Sequence, residues 1–386
     1  MVALPNVREP AAFDSGRRML PLKGLRPALA AYFFYVLPPL FTVWALALAA
    51  RSGNFAVDFH HEFWPAGRHV LHGESPFSSG TPDAVAHAAS RGVAFVYPPL
   101  TAFLMAPFAL LRVSVSEIVF TAVLLLAVFV SLWMLRVTDR RSYGVVLLWP
   151  PVFAGLQTGN LTLVLLACIA ALWRWRDRSW AAGALAAVSV ALKLFLWPLV
   201  IWLLATRRFA AATWAVLLTA GLTLASWGAV GFAGLGAYEQ TVRSLTSLEQ
   251  GAGYTLLAFG LKLGAGGAVA HTASLAAAVV ALLLAVAAAR RGNDAASFAL
   301  TVTAALLLSP IVWLHYYALM LAPLAVLRPR YSSIWLLPLL LWACPVRLAG
   351  PSWLAVLPVA IFVVLLAVAI RPSRRLGVPS RAQLST

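Results

Sequence analysis

An all-α bundle that crosses a membrane many times is the fold this sequence predicts, and three observations predict it. Of 386 residues, 62% are hydrophobic and 11% charged, with a mean hydropathy of +0.87. A water-soluble domain of this size cannot bury that much apolar surface, so the bilayer must be its solvent. The apolar residues gather into runs that give twelve candidate helices, and the basic residues come in twos and threes between them.

Residues 1–28 carry Arg8, Glu9, Asp14, Arg17, Arg18, Lys23 and Arg26 without the small-residue cleavage pattern of a signal peptide, so they read as a cytoplasmic segment. A single membrane domain is expected over 29–370, followed by a basic cytoplasmic tail over 371–386. Its candidate helices are 29–50, 115–135, 143–157, 161–173, 179–192, 194–206, 210–230, 267–289, 295–309, 311–327, 332–345 and 352–370. A perpendicular span needs about 20 residues, so runs of 13 to 15 are expected as broken helices or hairpin arms. An external loop over 51–114, rich in Gly, Pro, His and aromatics, is expected to form short amphipathic helices lying on the membrane. Its stretch 97–111, opened by Tyr97-Pro98-Pro99-Leu100, reads as an external or re-entrant helix.

Sidedness follows from charge. With the N-terminus inside and each run crossing once, 21 of the 29 Lys and Arg face the cytoplasm with five acids, leaving eight basic and seven acidic residues outside. The excess charge of +17 is therefore explained by orientation. No long basic tract or aromatic-basic motif points to nucleic acid. The seven histidines (His60, His61, His69, His72, His87, His271 and His315) then all fall on the outer side. Asp58, Glu62, the break at Gln157-Thr158-Gly159-Asn160 and the break at Lys193 fall there too, so any chemistry is expected to be extracytoplasmic. The two cysteines, Cys168 and Cys344, lie far apart inside apolar runs and read as buried thiols.

Only 12 Asp and Glu occur in the chain, and Asp58 and Glu62 stand one helical turn apart beside two histidines. A carboxylate near the interface is a candidate general base toward a hydroxyl. The neighbouring His60, His61, His69 and His72 invite a metal, but His61-Glu62-Phe63-Trp64-Pro65 lacks the second histidine of a His-Glu-x-x-His zinc helix. No metal site is assigned. Lys193 lies among apolar residues, at a cost of about 2.5–3.5 kcal/mol on insertion scales. Its expected roles are an anion partner, most naturally a lipid phosphate, or a snorkelling lysine. Pro198 is expected to contribute to the nearby break. Asn160 and Gln157 offer neutral hydrogen-bonding groups for sugar hydroxyls. In Ser309-Pro310-Ile311-Val312-Trp313-Leu314-His315, the proline breaks the helix, and His315 is a partner for phosphate or Asp58, or an interfacial structural histidine.

These motifs, in this order and sidedness, resemble the C-type membrane glycosyltransferases of bacteria. The resemblance covers roughly residues 29–330. The nearest branch is glycosyltransferase family 87, which includes polyprenyl-phosphate-mannose-dependent mannosyltransferases. The resemblance implies a GT-C-like bundle that transfers a hexose, mannose by analogy, from a polyprenyl-phosphate donor to a lipid or glycan acceptor on the outer face of the plasma membrane. It maps the catalytic base onto Asp58 and the late motif onto Ser309, Pro310, Trp313 and His315. The expected substrate-binding set is Lys193, His315, Glu62, His61, Asn160, Gln157, Tyr97 and Trp313. A monophosphate leaving group requires no metal cofactor, although a divalent ion is compatible with the histidines. A transporter or flippase for a lipid-linked sugar and a non-catalytic membrane partner are the rival readings. Against the first, no internal repeat is visible and the polar residues gather at one face rather than at the midplane.

Overall fold

The computed structural model describes residues 22–77, 95–249 and 251–344, with a few positions between 360 and 367. Residues 1–21, the part of the external loop at 78–94 that holds His87, most of the run 352–370 and the tail from 371 lie outside the described residues. Among the described residues every regular element is helical.

The first span runs from α1 (Leu22–Ala31) through a π turn at Tyr32–Val36 into α2 (Leu37–Arg51). A second π turn at Phe59–Phe63 leads into α3 (Trp64–Leu71), followed by α4 (Pro99–Ala109) and the long α5 (Val113–Met134). The run expected over 143–157 is two helices, α6 (Arg140–Leu147) and α7 (Pro150–Thr158). Pro150 and Pro151 lack the amide hydrogens that would continue α6 and instead open α7 at its first positions, where no donor is needed.

Next come α8 (Thr162–Arg174), α9 (Ser179–Leu192), a 3₁₀ turn at Leu194–Leu196, α10 (Pro198–Ala205) and α11 (Phe209–Ala229). Beyond these lie α12 (Leu235–Glu249), α13 (Leu256–Lys262), α14 (Gly267–Arg290), α15 (Asp294–Leu308), a 3₁₀ helix at Leu314–Met320, α16 (Leu321–Leu327) and a 3₁₀ helix at Ser333–Ala343.

Among the described residues, four helices are long and apolar enough to cross a bilayer: Pro27–Arg51, Val113–Met134, Phe209–Ala229 and Gly267–Arg290. Their outer faces expose Trp44, Ile118, Leu126, Leu224 and Leu283, a surface suited to lipid. The remaining apolar helices are short. The 13 residues of α8 rise about 20 Å against a hydrocarbon core of about 30 Å. The twelve candidate helices are thus not twelve equal spans: among the described residues, four long helices stand beside shorter, broken ones.

The described part of the external loop packs its helices against the body, with Phe59, Phe63, Ala102 and Met105 fully buried. The cause is aromatic. Phe59 stacks on Phe120 of α5 at 4.7 Å, and Phe63 meets Tyr97 edge-on at 4.9 Å. α3 lies so close to α4 that a Cβ on Gly67 would come within 2.8 Å of the Met105 carbonyl oxygen.

α9 and α11 pack along each other through small residues, with Ala182, Ala186, Ala211 and Ala215 buried. At Gly183 a Cβ would collide with the Trp214 side chain and meet the Ala211 carbonyl oxygen at 2.7 Å. Gly183→Leu should therefore force the pair apart. Overpacking of this kind costs about 1–3 kcal/mol, so the purified variant should lose structure several degrees below the wild type in a thermal aggregation assay. An unchanged midpoint would place the packing contact elsewhere.

Candidate active site

The site is built where short helices stop. α7 ends at Gly159, whose φ of +67° forms a left-handed cap. A side chain there would also strike Phe59, since a Cβ would come within 2.8 Å of the Phe59 Cβ. The left-handed turn delivers Asn160 into the interior, 2% exposed. Thr162 orients its amide: Asn160 Oδ1 accepts from the Thr162 backbone N–H at 3.0 Å and from Thr162 Oγ1 at 2.7 Å. The Nδ2 group is thereby aimed at Asp58, donating to Oδ2 at 2.7 Å, and it lies 3.4 Å from the Tyr97 hydroxyl.

Asp58 arrives from the other direction. It precedes the π turn at Phe59–Phe63, and the Ala56 amide just before it donates to the Gln157 carbonyl oxygen at 2.6 Å. This main-chain bond ties the external loop to the tip of α7. Gln157 therefore positions the loop through its backbone. Among the described residues, no hydrogen bond joins its side chain to the cluster.

Lys193 enters where α9 ends. Its backbone is extended at φ −153°, ψ 104°, and its side chain is 8% exposed. The break falls at Lys193 itself, whereas Pro198 is the first residue of the next helix rather than the cause of the break. The ammonium does not snorkel. It lies 3.7 Å from the centre of the Tyr316 ring, 4.8 Å from that of Tyr97 and 6.0 Å from that of Phe195, and donates to the Tyr97 hydroxyl at 3.4 Å. Phe195 and Tyr316 are stacked within 6° of parallel. Each cation–π contact in a desolvated setting contributes about 2 kcal/mol, which helps offset the burial of the charge.

His315 sits beside this cage on the 3₁₀ helix Leu314–Met320, 5% exposed, and its Nε2 has no hydrogen-bond partner among the described residues. It is therefore a buried histidine rather than an interfacial one. An orphaned ring nitrogen next to a buried ammonium is a site that a ligand can complete. Trp313, two residues earlier, is half-buried at the start of that helix, and no hydrogen bond joins its side chain to the cluster.

The electrostatics are those of a dry site. Burial raises the Asp58 carboxyl above its ordinary range, while the side-chain bonds of Asn160 and Thr158 and the nearby Lys193 and His61 pull it back. Glu62 is raised further, by burial and then by the negative charge of Asp58, with Lys193 the opposing influence. Tyr97 is likewise pushed up by burial, so its hydroxyl stays protonated as a neutral donor and acceptor. Two carboxyls thus share one ammonium, and Glu62 belongs to the same electrostatic unit as Asp58.

The structure brings Asp58, Glu62, Tyr97, Asn160, Lys193 and His315 together. His61 is close enough to influence Asp58 but is exposed, with its ring 4.7 Å from that of His60. The other loop histidines have their own partners: His60 Nδ1 pairs with Glu117 at 2.6 Å, His69 Nδ1 with Glu74 at 2.9 Å and His72 Nδ1 with the Arg68 carbonyl at 2.7 Å. Among the described residues, no group of three or more His, Cys, Asp or Glu converges as a metal site.

Sequence reasoning missed Tyr316 and Phe195, the walls of the lysine cage. Tyr316 stood in plain view after His315, but an aromatic beside a helix break reads first as an interface belt. Their shared signal is an aromatic two residues after Lys193 and another immediately after His315.

At the far end of α9, 14 residues or about 21 Å away, the basic residues find different partners. Asp294 accepts from Arg176 at 3.0 Å, from Arg208 at 2.8 Å and from the Trp202 indole at 3.0 Å. The two ends of the bundle are chemically distinct.

The family model described as Glycosyltransferase family 87 matches residues 95–310, more than half of the chain. The matched segment holds Tyr97, Asn160, Lys193, Ser309 and Pro310; Asp58 and Glu62 precede it, and Trp313 and His315 lie beyond it. No curated protein and no solved structure matches the chain.

Protonated carboxyls in apolar surroundings react with dicyclohexylcarbodiimide, and ionised ones do not. Because its value is raised, Glu62 should be labelled near neutral pH and lose labelling only as pH climbs through that value, as read by peptide mass spectrometry. Asn160→Leu removes a bond that favours the Asp58 carboxylate and should extend Asp58 labelling to higher pH. Labelling of Glu62 that ends near pH 4, like an exposed carboxyl, would contradict the dry site.

Proposed function

Because the chain belongs to glycosyltransferase family 87, a family of membrane glycosyltransferases of the GT-C type, we propose that it moves a hexose from a polyprenyl monophosphate to a hydroxyl of a membrane lipid or glycan. The resemblance selects mannose as the sugar. In this reading the acceptor hydroxyl attacks the anomeric carbon while Asp58 takes its proton. The bond from that carbon to the phosphate oxygen breaks, and the electron pair leaves with the phosphate. Lys193 and His315 stabilise the departing anion, which needs cations and donors rather than an acid of its own.

The supporting observation is the convergence of Asp58, Asn160, Tyr97, Lys193 and the orphaned His315 Nε2 from separate segments of the chain. Asn160 donates to Asp58 Oδ2 and so orients the carboxylate that takes the proton of the hydroxyl. Burial and the charge of Asp58 push Glu62 toward its neutral form, so one carboxylate is charged beside the reacting atoms. That asymmetry favours a single displacement with inversion over a covalent intermediate, by analogy with glycoside hydrolysis. It also lessens repulsion of the donor phosphate. A monophosphate leaves without a metal, and no step here is routed through one.

The same reading sets the orientation. The Arg176, Arg208 and Asp294 cluster faces the cytoplasm by the positive-inside rule, which turns Asp58 and Lys193 to the outer face of the plasma membrane. The twelve runs then act as twelve crossings or part-crossings with both termini inside. The apolar grooves between the short helices take the polyprenyl tail.

Two substitutions test the assignment in membranes supplied with labelled polyprenyl-phosphate sugar. Asp58→Asn should lower transfer by roughly 10²–10⁴-fold, the usual contribution of a general base, while the protein still inserts. Full activity in that variant removes Asp58 from the chemistry. Lys193→Ala should raise the donor concentration needed for half-maximal rate by about tenfold or more, and an unchanged value would return Lys193 to a structural role. The wild-type rate should fall as pH drops through the raised value of Asp58, because only the carboxylate accepts a proton. That acid limb should lie above the ordinary aspartate value of about 3.9.

A further inference from the structure

A half-open cavity of about 280 Å³ lies beside the π turn, lined by Ala50, Gly53, Phe55, Val57, His60, His61 and Glu117. Its position is set by that turn. Phe59 and Phe63 are buried anchors, and Asp58 and Glu62 belong to the lysine cluster. The extra residue of a π turn lets two consecutive side chains, His60 and His61, turn to the opposite side together; such turns recur at functional sites. Val57 and His61, which flank Asp58 in the chain, both line the cavity. Asp58 itself does not line the cavity, but its chain neighbour Val57 does, while its carboxyl is coupled to Lys193 and bonded to Asn160.

The lining has a definite chemistry. Glu117, in the first turns of α5, has a side chain only 16% exposed and accepts from His60 Nδ1 through Oε1 at 2.6 Å. Its second oxygen has no protein partner among the described residues. A carboxylate with a spare oxygen, two imidazoles and the half-buried Phe55 ring form a set suited to polyols. The planar polar groups meet vicinal hydroxyls, and the apolar ring meets the C–H face of a sugar. The volume lies just under the range of about 300–1,000 Å³ found for drug-sized ligands, so it suits one sugar ring rather than an oligosaccharide. No lysine or arginine lines the cavity to hold a phosphate. The donor phosphate and this cavity do not match.

We infer that the cavity is the acceptor subsite, binding a single sugar or polyol ring of the acceptor through Glu117 and His60 and presenting its hydroxyl to Asp58 from the side opposite Lys193. This inference rests on the glycosyl-transfer reading above. Glu117 and His60 are binding residues here, and neither is asked to move a proton in the reaction. Acceptor from one side and phosphate from the other is also the arrangement that an in-line displacement requires.

The test uses the full-length protein in lipid nanodiscs, labelled polyprenyl-phosphate mannose as donor and the total lipid extract of the native membrane as acceptor, each titrated with the other saturating. Glu117→Gln should raise the amount of extract giving half-maximal transfer by about tenfold or more, since a lost hydrogen bond to a charged group is of that size. The donor concentration at half-maximal rate should stay unchanged. Val57→Cys provides a variant that folds first and is blocked afterwards. The unlabelled variant gives the reference rate; after reaction with a bulky charged thiol reagent, acceptor-dependent transfer should fall at least tenfold below that reference while donor half-saturation is retained. Equal effects of Glu117→Gln on donor and acceptor, or full transfer after the cysteine is blocked, overturn the subsite. If the wild type transfers no sugar at all under any of these conditions, the glycosyl-transfer reading fails first, and the subsite fails with it.

Discussion

The fold depends on one buried cation. Lys193 leaves water at the end of α9 and must be compensated, because an isolated ammonium in a low-dielectric interior costs several kcal/mol even after relaxation. The compensation comes from distant parts of the chain: the rings of Tyr97, Phe195 and Tyr316, the Tyr97 hydroxyl, and the carboxyls of Asp58 and Glu62. The external loop, the tip after α7, the break after α9 and the late 3₁₀ helix therefore meet at one place. The irregular backbone at these breaks is tolerated because protein, rather than lipid, surrounds it.

The constraint also explains the uneven helix lengths. Long helices such as α5, α11 and α14 meet lipid along exposed apolar faces, and a full crossing suits them. Helices that deliver polar groups to the site must stop inside the bundle, as α7 does at Gly159 and α9 does at Lys193. The opposite ends of α8 and α9 are held by Asp294 and its arginines, where partial exposure makes ion pairing inexpensive. One end of the bundle gathers part-buried carboxyls around a buried lysine, the other is salt-bridged.

Much of this was legible in the sequence, and the rest was hidden for identifiable reasons. Composition carried the fold class, and the scarcity of acids singled out Asp58. Lys193 stood out because its cost in an apolar run is large. Asn160 and Tyr97 were visible as polar residues at breaks and do meet Asp58 and Lys193. Glu62 was underrated, since the spacing from Asp58 showed only that the two were neighbours and not that both are part-buried beside one lysine. The packing of the external loop was hidden because its aromatic residues fit a membrane interface as well as a core; what the sequence does not encode is the stacking of Phe59 on Phe120, a contact between positions 61 residues apart. Gln157 and Trp313 carried the right chemistry at the right breaks, yet Gln157 serves through its backbone and Trp313 makes no hydrogen bond to the cluster. Side-chain direction at a break is set by the turn, and no periodicity encodes it.

The central claim is that the phosphate of the donor lies between Lys193 and His315 with Asp58 facing the anomeric carbon. Cryo-electron microscopy of the protein in nanodiscs with bound polyprenyl-phosphate sugar tests it most directly. The account predicts phosphate density within hydrogen-bonding distance of the Lys193 ammonium and the His315 Nε2, with the sugar between them and the Asp58 carboxylate. Phosphate density at the far end, against Arg176 and Arg208, would contradict it.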